Sequence, residues 1–307
     1  MKFQLELSCA TETRRGLKMV MPLKHTPIMD DQMTQIDYLV VGHICSDLTP
    51  EGSQVGGTVA YSGRTAQALG CKAAVLTSAA SDYDLDQTLF GIKVHTVCSP
   101  CTTTFENVYT ESGRVQKIHC VAQRLYIEDL PEQWRQARIV HLGPVANEIE
   151  PEIIHRFEKS LVGLTPQGWM RYWNGSGYVR PRNWPFASDI LPFAEAVILS
   201  EEDILNDEIL ADFRKLSRLL VLTRGSRGCT VFYGKKTKHI PTIPVENVNP
   251  TGAGDIFAAA FLVRLEQTGG EPWEAAEFAN RIAAATVNVN GLEAKVARIR
   301  QLVGKSL

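Results

Sequence analysis

The 307-residue chain sets 32 lysines and arginines against 34 acids, a formal net charge of -2, with 44% hydrophobic and 21% charged residues. This suits a globular protein with a buried core and gives no basic excess to recruit nucleic acid or an anionic membrane. No run of about 18 apolar residues could span a bilayer, and no continuous apolar run near Met1 reads as a secretory signal. Seven cysteines, an odd number without a dense framework, are expected as free thiols in a reducing, cytoplasmic compartment. The pair Cys98 and Cys101 reads as two incidental thiols near a loop.

Residues 1–35 hold five of the six methionines and show no strong hydrophobic period, so they read as a loosely ordered extension. Order is expected from Ile36. The run Ile36-Asp37-Tyr38-Leu39-Val40-Val41-Gly42 is short, apolar and β-branched, as a buried strand should be. Gly57 to Gly70 reads as a helix opened and closed by glycine. Short strands follow at 72–77 and 92–97. Thr102 to Tyr109 and Arg114 to Val121 alternate apolar and polar residues around Thr110-Glu111-Ser112-Gly113, a hairpin pattern with one face free for solvent or ligand. Further strands are expected at 139–142, 162–164, 196–200 and 219–223, with β-rich sequence at 230–245. Helices are expected at 254–267, 272–288 and 292–302. The alternation predicts an α/β fold: a doubly wound, mostly parallel sheet with helices on both faces, plus a small β lid around 102–121. The whole of 36–307 is read as one domain.

Chemistry concentrates in Asn249-Pro250-Thr251-Gly252-Ala253-Gly254-Asp255, which runs straight into an apolar helix. Glycines at 252 and 254 let backbone N–H groups converge on an anion, and the helix N-terminus adds partial positive charge. Asp255 in the first turn can accept a proton from an attacking hydroxyl, although an ordinary helix cap is the simpler reading of a bare G-x-G-D. Upstream, Thr223-Arg224-Gly225-Ser226-Arg227-Gly228 ends a strand with two glycines that permit close approach of a nucleotide. Either arginine could meet a phosphate or simply face solvent. Asp47 and Gly56-Gly57 follow the first strand, where a carboxylate is a good acceptor for a vicinal diol.

Taken together, in this order and on these elements, the motifs resemble those of the ribokinase-like (PfkB) carbohydrate kinases, from about Ile36 to the C-terminus. The resemblance implies that Gly252, Ala253 and Gly254 line an anion hole and that Asp255 is the catalytic base. It implies nucleotide binding by Thr223, Gly225, Gly228 and Asn280, and substrate binding by Asp47, Gly56 and Gly57. Asn249 stands where the family's first acid would be. Ser200-Glu201-Glu202-Asp203 replaces the family's N-x-x-E, leaving Asp203 as a candidate for the hydration shell of Mg2+. ATP and Mg2+ are the implied cofactors, with a monovalent cation as a further candidate. The hairpin takes the place of the family's lid, with Glu106, Asn107, Gln116 and Arg124 as polar residues near substrate, and a homodimer is the implied assembly. Gly168 to Trp173, rich in aromatics, could wall a pocket or fill a core. The ribokinase lysine and asparagine after Gly-Gly are absent, and Tyr61 lies near that pair. The expected acceptor is therefore a sugar or cyclic polyol, inositol-like, rather than ribose. A nucleoside kinase and a non-catalytic relative are the alternatives. A dinucleotide oxidoreductase is set aside because no G-x-G-x-x-G follows the first strand.

Overall fold

The computed structural model describes residues 35–304 apart from 51, 111–112 and 246–248. The extension expected over 1–35 thus lies outside the described residues except for Gln35. In chain order the elements are β1 (Tyr38–Val41), β2 (Cys45–Thr49), β3 (Gly52–Gly56), α1 (Thr58–Ala68), β4 (Ala73–Ala80), α2 (Leu85–Thr88), β5 (Lys93–Ser99), β6 (Thr103–Thr110), β7 (Gly113–Cys120), β8 (Ile139–Leu142) and β9 (Leu161–Leu164). There follow β10 (Arg171–Trp173), β11 (Val179–Pro181), α3 (Ala187–Ile190), β12 (Ala196–Ser200), α4 (Asp207–Leu216), β13 (Leu219–Thr223), β14 (Cys229–Tyr233), β15 (Lys236–Ile240), α5 (Ala253–Gln267), α6 (Pro272–Ala284) and α7 (Leu292–Gly304).

Nine strands form the main sheet in the order β15-β14-β13-β12-β9-β8-β1-β4-β5. Pairing is parallel from β13 through to β5, and β14 and β15 extend it antiparallel. Strand β1 shows why its sequence is apolar throughout. Tyr38 and Val40 enter the core on one face, Leu39 and Val41 the core on the other. The first face is covered by α1, α5, α6 and α7, with Phe257 and Phe261 of α5 stacked at its centre. The second carries α4, short helical turns and the stacked Trp169–Trp184 pair. The helical cover is therefore unequal, and Trp169 of the 168–173 stretch fills this second core.

The hairpin is present, but it is half of something larger. Strands β6 and β7 pair antiparallel, and β6 also pairs in parallel with β2, giving a four-stranded sheet in the order β3-β2-β6-β7. Asp47 consequently lies on the lid sheet itself, opposite Gln54 on one side and Phe105 on the other. At the base of the lid, Cys101 and Cys120 are joined in a disulfide with Cα atoms 6.6 Å apart. For these two cysteines this corrects the expectation of free thiols, while Cys45, Cys71 and Cys229 are free as expected. The disulfide partners are 19 residues apart in the chain and meet because Cys101, just before β6, lies beside the end of the neighbouring strand β7. Cys98 remains a free, exposed thiol. No described helix is long and apolar enough to cross a membrane.

Two buried groups fasten the lid to the main sheet. His43 Nε2 lies 2.8 Å from the Gln123 carbonyl and Nδ1 lies 2.7 Å from Thr103 Oγ1. Burial lowers the pKa of this ring, so it is neutral. Because a carbonyl only accepts, Nε2 carries the proton and the Thr103 hydroxyl donates to Nδ1. Glu148, 2% exposed, accepts hydrogen bonds from the N–H groups of His43, Val145 and Ala146. It thereby ties the β1–β2 crossing to the loop after β8. Glu148→Ala leaves three buried donors stranded, at roughly 1–3 kcal/mol each. Urea unfolding should show a loss of about 3 kcal/mol or more at unchanged m-value. A loss below about 1 kcal/mol would mean that water takes the place of the carboxylate.

Candidate active site

A cleft of about 870 Å³ opens along the carboxyl ends of the parallel strands, the crevice in which open α/β sheets bind ligands. Val145 after β8, Thr165 after β9, Ser200 at the end of β12 and Thr223 at the end of β13 form its floor. The lid sheet contributes Cys45, Asp47, Phe105, Asn107 and Gln116.

The Gly-rich turn enters from the opposite side. Gly252 caps α5 in the left-handed region (φ 75°), and a side chain there would run into the Tyr61 ring. Ala253 turns its N–H back to the Pro250 carbonyl at 2.9 Å, and Asn249 Oδ1 accepts from the Thr251 N–H at 2.9 Å. Gly252, Ala253, Gly254 and Asp255 all line the cleft, where first-turn N–H groups lack intrahelical acceptors. Ala253 is the exception among them, since its N–H is already bonded to Pro250. Gly254 faces open space.

Asp255 is the third residue of α5. Burial pushes its carboxyl up from 3.8 to about 6; the nearby charge of Asp47 also raises it, while a hydrogen bond from Thr58 and the charge of Arg171 hold it down. Thr58 is the first residue of α1, so the N-termini of two helices meet at this carboxylate. The Gly56-Gly57 pair makes room at the other end. A side chain on Gly56 would overlap the Asp47 carboxylate, and Gly57 (φ 87°) lies hard against the His43 carbonyl.

The nucleotide-side residues Thr223, Gly225, Gly228 and Asn280 also line the cleft, beside Thr242, Val245, Ala283, Ala284 and Val287. Asn280 is 7% exposed and donates its amide to the Ile240 carbonyl at 3.0 Å, so it shapes this wall rather than offering its amide to a ligand. Asp203 lines the cleft too, but Oδ1 accepts from Gln167 at 2.8 Å and Oδ2 from the Ser200 N–H at 3.2 Å. Glu202 reaches the same wall. Neither arginine of the 223–228 segment lines the cleft, and Arg227 pairs with Glu201 instead.

Of the four polar lid residues, Asn107 and Gln116 reach the cleft, joined to one another at 3.1 Å. Glu106 instead pairs with His119, and Arg124 lies over Tyr126. Sequence reasoning missed Thr58, Gln167, Arg171 and Arg180, all cleft residues. Arg171 follows the buried Trp169 in a stretch whose aromatic content drew attention away from its cation.

The segment 192–297 matches the family model described as pfkB family carbohydrate kinase. The chain is 25% identical over 261 residues to a cytidine kinase of Thermococcus kodakarensis, covering 78% of this chain and 91% of the relative. It is 25% identical over 286 residues to an inositol 3-kinase of Oryza sativa, covering 85% and 70%. Among solved structures, a pyrophosphate-dependent kinase of the ribokinase family, complexed with a pyrophosphate analog and myo-inositol, superposes with a TM-score of 0.74. That match has 22% identity and covers 87% of this chain and 99% of the other. The fold is that of the ribokinase-like kinases. Over residues 192–297 the chain is similar to the pfkB family carbohydrate kinases.

The two glycines of the turn are separable by experiment. Gly252→Ala meets both a left-handed backbone and the Tyr61 ring, so thermal or urea unfolding should register a loss of about 1–3 kcal/mol or more. Gly254→Ala meets nothing and should fold with wild-type stability while losing phosphoryl transfer. Equal stability of the two variants would refute the crowding at Gly252.

Proposed function

We propose that the protein transfers the terminal phosphoryl group of ATP to a hydroxyl of a small sugar or cyclic polyol, with Asp255 as general base. The observation that carries this reading is the position of Asp255. Its desolvated carboxylate lies within a Gly-rich helix N-terminus, in the same cleft as the diol-accepting Asp47. The acceptor hydroxyl sits between the two carboxylates, and Asp255 takes its proton as the oxygen attacks. First-turn N–H groups of α5, with the positive end of the helix dipole, receive charge on the transferring phosphoryl oxygens. The donor lies along Gly225 and Gly228, and the apolar wall of Val245, Ala283, Ala284 and Val287 suits a nucleotide base.

Among the described residues no group of three acids, histidines or cysteines could hold a metal alone. That agrees with Mg2+, which keeps several waters and is bound largely through substrate phosphates. Glu202 and Asp203 would hold its hydration shell. The ion would supply neutralisation of charge on the donor phosphates.

Asp47, Asn107 and Gln116 favour a polyhydroxylated acceptor, and the inositol 3-kinase relative and the myo-inositol-bound structural neighbour point to a cyclic polyol. A nucleoside acceptor is the second reading, favoured by the cytidine kinase relative. The deciding assay follows product release from ATP or pyrophosphate with Mg2+ across sugars, inositols and nucleosides. Stimulation by a polyol with ATP is expected. Stimulation by cytidine alone selects the second reading, and preference for pyrophosphate overturns the donor assignment.

Asp255→Asn should lower kcat by roughly 10²–10⁴-fold. In the wild type, kcat/KM should fall as pH drops below about 6, where Asp255 becomes protonated. Stability should move the other way. The carboxyl binds its proton more tightly folded (about 6) than at its ordinary value of 3.8, so its stabilising contribution appears as pH falls through 6 and is lost above it. The Asn variant should thus unfold at the same or a higher midpoint than wild type at pH 8, with the difference shrinking or reversing at pH 5. An Asn variant that keeps its turnover removes Asp255 from the base role.

A further inference from the structure

Lys295, in the first turn of α7, is 0% exposed, although an ammonium is a compact and strongly hydrated charge. Its neighbours along the helix, Leu292, Val296 and Ile299, are apolar core residues. A leucine or methionine at 295 would extend that core, so packing alone gives no reason for a charge. The charge is held by main-chain oxygens. Nζ donates to the carbonyl of Asn249 at 2.8 Å and to the carbonyl of Thr286 at 2.8 Å. Burial draws its pKa down to about 8, which leaves the ammonium form dominant at neutral pH.

The two carbonyls belong to segments that build the site. Asn249 opens the turn into Gly252–Asp255, and its N–H donates to the Val287 carbonyl at 2.9 Å. Thr286 lies in the turn after α6, just beyond the cleft residues Ala283 and Ala284, and its hydroxyl donates back to the Ala283 carbonyl at 2.8 Å. This also explains why α6 stops at Ala284 instead of running to Asn288 as its sequence suggested. Main-chain carbonyls converging on one buried point are the chemistry by which proteins strip and hold an alkali ion. Here the point is filled by a side chain.

We propose that Lys295 is a tethered monovalent cation. Its ammonium occupies the place between the Asn249 and Thr286 carbonyls that a free alkali ion would otherwise fill. It holds the 249–255 turn in its anion-binding shape and makes the reaction independent of free monovalent cations. Lys295 is thus a positioning residue, acting through the turn rather than on substrate. The kinetic part of this inference rests on the kinase reading; the clamp itself does not.

The test compares wild type, Lys295→Ala and Lys295→Met in the chlorides of sodium, potassium, ammonium, methylammonium and tetramethylammonium at constant ionic strength. Two readouts are taken, kcat and KM for phosphoryl transfer and the thermal unfolding midpoint. Wild type should be indifferent to the cation in both. Lys295→Ala should lose roughly 10–100-fold in kcat, as when a group that orients reacting residues from behind is removed, with KM little changed. Potassium, ammonium or methylammonium should restore kcat and raise the midpoint, while tetramethylammonium, too large for the site, should do neither. Lys295→Met should lose kcat without rescue. Activation of wild type by potassium, a Lys295→Ala variant indifferent to every cation, or Lys295→Met with wild-type kcat would each overturn the proposal. Should Lys295→Ala not fold, kcat of the Met variant decides. Should wild type show no turnover with any acceptor, the kinase reading fails, and the response of the Lys295→Ala midpoint alone decides the clamp.

Discussion

Two helices begin at the same point in this protein, and they can do so only because residue 252 has no side chain. The N-terminus of α5 is pressed against Tyr61 of α1, Ser62 Oγ donates to the Asp255 carbonyl at 3.1 Å, and Thr58 reaches the Asp255 carboxylate. The approach brings two positive helix ends to one cleft, a fitting environment for phosphate oxygens. It also leaves Asp255 half-buried at the cleft wall. The strands beneath serve the same end, since their carboxyl termini set the floor over which the helices converge.

The Asp255 carboxyl is held by opposing influences. Desolvation and the negative charge of Asp47 favour its protonated form; Thr58 and Arg171 favour the carboxylate. The outcome, near 6, is a carboxylate still ionised at neutral pH yet more basic than an exposed aspartate. Arg171 makes the smallest of these contributions. It donates to the Val145 carbonyl at 3.3 Å, on the loop that Glu148 fixes, so the electrostatics of the site depend on a buried carboxylate that does not line the cleft.

Much of this was legible in the residues themselves. The strands at 139–142, 196–200 and 219–223 were read to the residue because short apolar runs between breakers admit little else. The Gly252–Asp255 turn was legible because glycine spacing and an acid at a helix start share a single physical explanation. What escaped was non-local. Strands β2 and β3 are short and half-exposed, and β2 joins the lid sheet by pairing with β6, more than fifty residues away. The Cys101–Cys120 disulfide, Arg171 and the Lys295 clamp all arise from approaches between segments distant in sequence. No local pattern marks a lysine in an amphipathic helix as buried, because at that spacing a lysine ordinarily snorkels to the surface.

Asp47 is a residue of the lid sheet, hydrogen-bonded into it through β3 and β6. A ligand group that engages this carboxylate therefore engages the cover as well as the cleft. If Asp47 meets the acceptor as proposed, recognition of the acceptor and exclusion of water would be one mechanical event, and a poor acceptor would be rejected through incomplete assembly of the site rather than through weak attachment alone. In such an arrangement the discrimination between hydroxylated compounds would be written into turnover more than into affinity, and water would be refused because it could not hold the cover down.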